Sequence, residues 1–145
     1  MSGREVDIVG ILTARAIHGC RLLDRHVPGW HERVTKPVNL RDGNECVLGQ
    51  VFATAKRGTH QSGYGWALDN PASPLYRFVP RDEGDARAVI HWARIYGFIG
   101  GGRYLGREYP TDALTDDLGR IWDGLIEERK AQGRLARATE ERVNR

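Results

Sequence analysis

The chain has 145 residues, 40% of them hydrophobic and 28% charged, with a net charge of +3 and an isoelectric point near 9.1. That length fills one core rather than two, no apolar run nears the roughly 20 residues that cross a bilayer, and two cysteines, Cys20 and Cys46, are too few for a disulfide scaffold. The charge is diffuse: residues 1–70 hold nine Lys and Arg against seven Asp and Glu, and residues 71–145 hold thirteen against twelve, so neither half is the basic block that steers a polyanion.

The opening MSGREVDIVG lacks the charged start, long apolar centre and cleavage site of a secretory signal, so a cytoplasmic location is expected. The first strong period is Val9, Leu12, Ala16, Cys20, Leu23 and Val27, whose steps of three and four predict one helical stripe. Pro28 and Gly29 end it, and Trp30 should fold back as an apolar plug beside the helix end. From Glu32 to Gly43 the chain reads as an irregular connection anchored inward by Val34, Val38 and Leu40.

Asn44 is the expected cap of a second helix, ECVLGQVFATAK, with Val47, Leu48, Val51, Phe52 and Ala55 on its apolar face. Gly49 costs that helix about 1 kcal/mol relative to alanine, which suits a site where another backbone or a ring comes close. Residues 57–80 read as a loop broken by Gly58, Gly63, Gly65, Pro71, Pro74 and Pro80, with a short extended piece at Leu75–Val79. A third helix is expected from Asp82 to Tyr96, burying Ala86, Val89, Ile90 and Ala93 and ending at Gly97. After a glycine-rich excursion to Pro110, Thr111 should cap a fourth helix with the stripe Leu114, Leu118, Ile121, Trp122 and Leu125.

The phrases LLDRHVPGW, CVLGQVF, IYGF at 95–98 and LTDDLGRIWDGLIEERK at 114–130, in that order, make the chain resemble a group of small uncharacterised proteins of actinobacteria and actinobacteriophages. The likeness covers roughly residues 16–131. The sequence departs from the group's pattern in an expanded 57–80 loop and in the GGGRYLG that follows the Tyr-Gly-Phe turn. The resemblance implies a compact helical scaffold and a phage or prophage origin; it implies no reaction.

Several groups invite chemistry. Cys46, in the first turn of a helix, is a weak candidate nucleophile, set against the commoner role of a small buried hydrophobe. His18, Cys20, His26, His31 and Cys46 lack the short paired spacing of a zinc site, so no metal and no cofactor are expected. GGGRYLG has neither the dinucleotide nor the P-loop pattern. Two loops mix positive charge, rings and glycine: Arg57, His60, Tyr64 and Trp66 in one, Arg103, Tyr104 and Arg107 in the other. These seven residues are the candidate binding set, suited to a protein interface or to nucleic-acid phosphates and bases.

The expected fold is therefore mainly α: a compact domain of about four helices over residues 4–132, with irregular loops, room for a short strand pair, and a charged C-terminal extension or tail at 133–145. The expected role is that of a non-enzymatic accessory or regulatory binding protein acting through an unidentified protein partner, with no membrane involvement. Nucleic-acid binding through the aromatic and basic loops is the alternative, and a cysteine-dependent enzyme ranks third.

Overall fold

The computed structural model describes residues 3–81 and 84–144. In chain order these form α1 (Gly3–His26), a 3-10 turn at Trp30–Arg33, α2 (Val47–Val51), α3 (Gly63–Asp69) and a 3-10 turn at Tyr76–Phe78. Then come α4 (Arg87–Ile95), β1 (Gly102–Tyr104), β2 (Arg107–Tyr109) and α5 (Thr115–Val143). The protein is mainly helical, with a two-stranded antiparallel hairpin that pairs Gly102 with Tyr109 and Tyr104 with Arg107. None of the described helices is long and apolar enough to cross a membrane.

The two long helices, α1 and α5, pack side by side as the spine. Leu12, Ala16, Cys20, Leu23 and Val27 of α1 are buried as the period predicts, whereas Val9, at the free end of the stripe, is half exposed. On α5 the buried line is Leu118, Trp122 and Ile126. Two fully buried indoles tie the spine together, Trp30 and Trp122 meeting edge to face with centroids 6.0 Å apart. Each has its ring N–H satisfied: Trp122 donates to the Gly97 carbonyl (2.6 Å) and Trp30 to Asp24 (2.8 Å). The Asp24 carboxylate also receives a two-pronged bond from Arg129 of α5, at 3.1 and 2.9 Å. Burial works against its charge, but the bonds from Arg129 and Trp30 outweigh that and hold its pKa below the ordinary 3.8.

Gly97 ends α4 in the left-handed region (φ 68°). The Phe98 N–H reaches back to Ala93 (2.9 Å) and the Gly97 N–H to Arg94 (3.0 Å), a paired closure that satisfies the last carbonyls. Phe98 then stacks on Trp122 at 5.8 Å.

Gln50 explains the end of the CVLGQ phrase. Its buried amide makes all four of its hydrogen bonds, accepting from the Thr35 and Lys36 N–H groups and donating to the Lys36 and Glu45 carbonyls. The connection before α2 is thereby stitched to α2, and Asp123 and Lys130 stitch it to α5 through the Val38 N–H (2.8 Å) and the Val34 carbonyl (2.6 Å).

The structure corrects the sequence reading in several places. The cap of α2 is Cys46, whose sulfur accepts from the Gly49 N–H, while Asn44 instead accepts from the Gly63 N–H at 3.1 Å. α2 is accordingly short, and Ala55 is exposed. Residues 57–80 contain a helix, α3, capped by Ser62, and Leu75–Val79 forms a 3-10 turn rather than an extended piece. The glycines read as breakers serve contact: a Cβ on Gly63 would overlap the Gly49 backbone, so α2 and α3 touch main chain to main chain.

The third predicted helix begins later than expected, at Arg87; Asp82 lies outside the described residues. It faces inward through Trp92 and Ala93, leaving Ala86 and Ile90 exposed. The last helix starts at Thr115 rather than after Thr111, because Leu114 sits in the left-handed region (φ 62°). Residues 133–143 continue α5 without a break, with Leu135 and Val143 exposed on its last turns.

Two outcomes follow for stability. Alanine at Gly65, which would meet only ordinary contacts, should stabilise the fold by up to about 1 kcal/mol, whereas Gly63→Ala should destabilise it by about 2 kcal/mol or more; urea unfolding reads the opposite signs. Asp24→Asn should lose about 1 kcal/mol at pH 7, a modest figure because the carboxylate is partly solvated. A carboxyl whose folded pKa is depressed stabilises above its ordinary value and ceases to as pH falls through the folded value. Wild type and variant should therefore converge as pH falls beneath the ordinary carboxylate value of 3.8 and through the lowered folded one in acid titrations of unfolding.

Candidate binding face

The seven residues singled out by composition do not share one environment. Arg57 and His60 are exposed on the turn between α2 and α3. Tyr64 is half buried, and Trp66 is buried against Phe52 with ring centroids 5.5 Å apart, so neither indole nor phenol offers a free stacking surface there. In the hairpin, Arg103 and Arg107 are exposed while Tyr104 is buried, 2% accessible. Arg103 is engaged locally with Glu108 (3.8 Å) and the Gly106 carbonyl (3.2 Å), and Arg107 lies over Tyr109.

A more coherent surface runs along α1. Arg15, His18, Arg21, Arg25 and His26 follow one another at helical spacings, so they share a broad side of the helix over about 15 Å. The single acidic residue between Arg15 and His26 is Asp24, which is taken by Arg129 and Trp30. Among the described residues none of Arg15, Arg21 or Arg25 lies within ion-pairing distance of a carboxylate.

Rings back this face. His18 stacks on Tyr96 at 4.2 Å, and His26 lies on Phe78 at 4.3 Å, whose other neighbour is the Arg77 guanidinium at 4.7 Å. His18, Arg21, Arg25, His26 and Tyr96 line a shallow cleft of about 210 Å³, smaller than the several hundred Å³ that ordinarily enclose a small organic ligand. Toward the hairpin the face continues to Arg15, which donates to the Tyr104 hydroxyl (3.0 Å), and to Arg94. Composition missed this surface because net charge does not report that most of its basic residues share one side of α1. The signal in the sequence was RAIHGCRLLDRH, whose basic positions recur every three or four residues opposite the buried stripe.

Two larger grooves contain charged groups already committed to the scaffold. The groove of about 520 Å³ beside α5 contains Asp123 and Lys130, both bonded to the 34–38 backbone. The one of about 440 Å³ near Leu40 and Ile99 includes Arg41, which pairs with Asp116 at 3.1 Å.

Cys46 is buried, its sulfur caps α2, and burial pushes its thiol up to about 11, the wrong direction for a nucleophile near neutral pH. Cys20 is likewise buried, its thiol pushed up to about 12. Among the described residues no three His, Cys, Asp or Glu side chains converge on a point that could hold a metal ion.

Compared with protein-family models, curated proteins and solved structures, the chain matches none.

Both thiols should resist a disulfide reagent at pH 8 in the native protein and react stoichiometrically in denaturant. Fast modification of Cys46 in the folded state would contradict the cap geometry.

Proposed function

We propose that this chain is a non-enzymatic accessory binding protein whose recognition face is the basic side of α1. The observation that carries the reading is the run from Arg15 to His26, where five basic side chains share a broad side of one helix and the intervening carboxylate is neutralised from α5. Fifteen ångströms of such a face spans about four phosphates of one nucleic-acid strand at about 3.4 Å each. Arginine presents a fork of N–H donors that matches phosphate oxygens. The partner class this surface fits best is therefore a nucleic-acid backbone. With Trp66 and Tyr104 buried, base stacking contributes little, and recognition is by charge and shape rather than by sequence.

A protein partner is the second reading, favoured by one observation. Leu135 and Val143 stand 70% and 77% exposed on the last turns of α5, an arrangement suited to docking a helix or a groove. A phage or prophage origin, implied by the resemblance, belongs with either proposal.

Fluorescence anisotropy with labelled duplex and single-stranded oligonucleotides tests the first reading. Binding should weaken linearly in log–log form with salt, differ little between sequences, and lose about two from the salt slope in the Arg21→Ala/Arg25→Ala double variant. Arg57→Ala, on the α2–α3 turn, should change affinity less than twofold. Retention of full affinity by the double variant would overturn the assignment of the face.

A further inference from the structure

We infer that Arg15 and Arg94 together form a receptor for a single phosphate-type oxyanion, seated where β1 passes over them at Gly102. The inference deepens the backbone-binding reading by naming the one point on that face built to grip an individual phosphate.

Three observations converge there. First, two guanidiniums from different helices are held close to one point: a Cβ placed on Gly102 would come 3.2 Å from Cδ and 3.6 Å from Nε of Arg94, and 3.8 Å from Nη1 of Arg15. Two like charges brought together repel unless something negative lies between them. No carboxylate of the described residues is within ion-pairing distance of either.

Second, Arg94 Nε is a buried donor with no acceptor, and the same side chain makes only a long bond, 3.4 Å, from Nη2 to the Thr111 hydroxyl. A buried, charged N–H without a partner is costly, and an oxyanion satisfies it.

Third, the surroundings hold one guanidinium in place without neutralising it. Arg15 is fixed by the Tyr104 hydroxyl at 3.0 Å and lies over the Tyr104 ring at 4.6 Å, contacts that orient it but bring no negative charge. Burial raises the Tyr104 pKa, with Arg15 and Arg94 pulling the other way, so the phenol stays neutral near pH 7 and cannot serve as the missing anion. Gly101 and Gly102 both have positive φ, at 86° and 100°, and the lack of a Cβ at Gly102 lets β1 pass in close contact with the Arg94 side chain and near Arg15. The GGGRYLG phrase, which matches no phosphate-loop pattern, thus brings its backbone against an anion seat made of arginine side chains rather than of backbone N–H groups.

The phosphate could belong to a free ion or monoester, or to a nucleic-acid strand, and two titrations separate these sources. Arginine Nε–H resonances of the intact protein are followed by ¹⁵N NMR during addition of inorganic phosphate, and separately of duplex DNA. Phosphate should shift the Arg94 Nε–H saturably in the millimolar range. In Arg94→Gln the effect on the Arg15 resonance should weaken at least tenfold, as should the effect on Arg94 in Arg15→Gln, while Arg25→Gln leaves both unchanged.

If DNA shifts the same resonance and competes with phosphate, the strand is the source; if phosphate alone acts, a free ion or monoester is. Should either glutamine variant unfold, Tyr104→Phe, which frees Arg15 from its anchor, should lower phosphate affinity severalfold. Unchanged Arg94 resonances with both ligands, or equal phosphate binding by wild type, Arg15→Gln and Tyr104→Phe, would overturn the inference. The reading of the α1 face fails separately, through the Arg21/Arg25 double variant, and can stand or fall without this site.

Discussion

The contact between Trp30 and Trp122 is the joint on which the rest of the molecule hangs. Each indole is wholly buried and each ring N–H is bonded, one to Asp24 and the other to the Gly97 carbonyl. That pairing matters because an indole buried with its donor unmet forfeits much of the apolar gain of burial. The two bonds also fix geometry. Trp30 closes the corner after α1, Asp24 carries that corner to Arg129 on α5, and Trp122 ties α5 to the end of α4. Three segments distant in sequence, the corner of α1, the end of α4 and α5, are thereby set in register.

Around that joint, backbone contact does work that larger side chains cannot. A Cβ on Gly19 would collide with the Tyr96 carbonyl and with Trp122, and one on Gly97 with the Ala16 backbone, so α1 meets the end of α4 at the closest distance that main chains allow. The same device joins α2 to α3 through Gly49 and Gly63. These glycines weaken the isolated helices slightly and strengthen the assembly, since packing rather than propensity supplies most helical stability in a folded domain. The buried Gln50 amide plays the corresponding role for the irregular 34–38 segment, which has no ladder of its own.

The charge arrangement has a functional consequence. Arg41, Arg81, Arg87, Arg120 and Arg129 are each paired with a carboxylate, and in the groove beside α5 Asp123 and Lys130 are bonded to backbone groups. Arg15, Arg21, Arg25 and Arg94 have no such partner among the described residues, although they lie on helices whose other faces are fully integrated into the core. A net charge of only +3 conceals this, because net charge averages over a surface whereas binding responds to the local field.

The class of fold was legible because it rests on periodicity. The α1 stripe, the Pro28–Gly29 stop, the inward Trp30 and the Leu118–Trp122 line are local patterns that a 3.6-residue repeat imposes on any chain that buries one face. The short elements were less legible for the converse reason: α2 was expected but read too long, and the seven residues of α3 are too few to show a period, their glycines looking like breakers until the opposing backbone is known. The Cys46 cap was invisible for a similar reason, since Asn44 has the better local chemistry but is drawn away to Gly63 across the fold.

Composition could name Trp66 and Tyr104 as rings beside arginines, but not that both point inward, because inside and outside are decided by what packs opposite. The sequence by itself determined a helical body and the spacing of its basic residues. Only the tertiary structure decided which of those charges are cancelled, and that decision depends on carboxylates that arrive from as far away as Asp24 lies from Arg129, over distances no local pattern encodes.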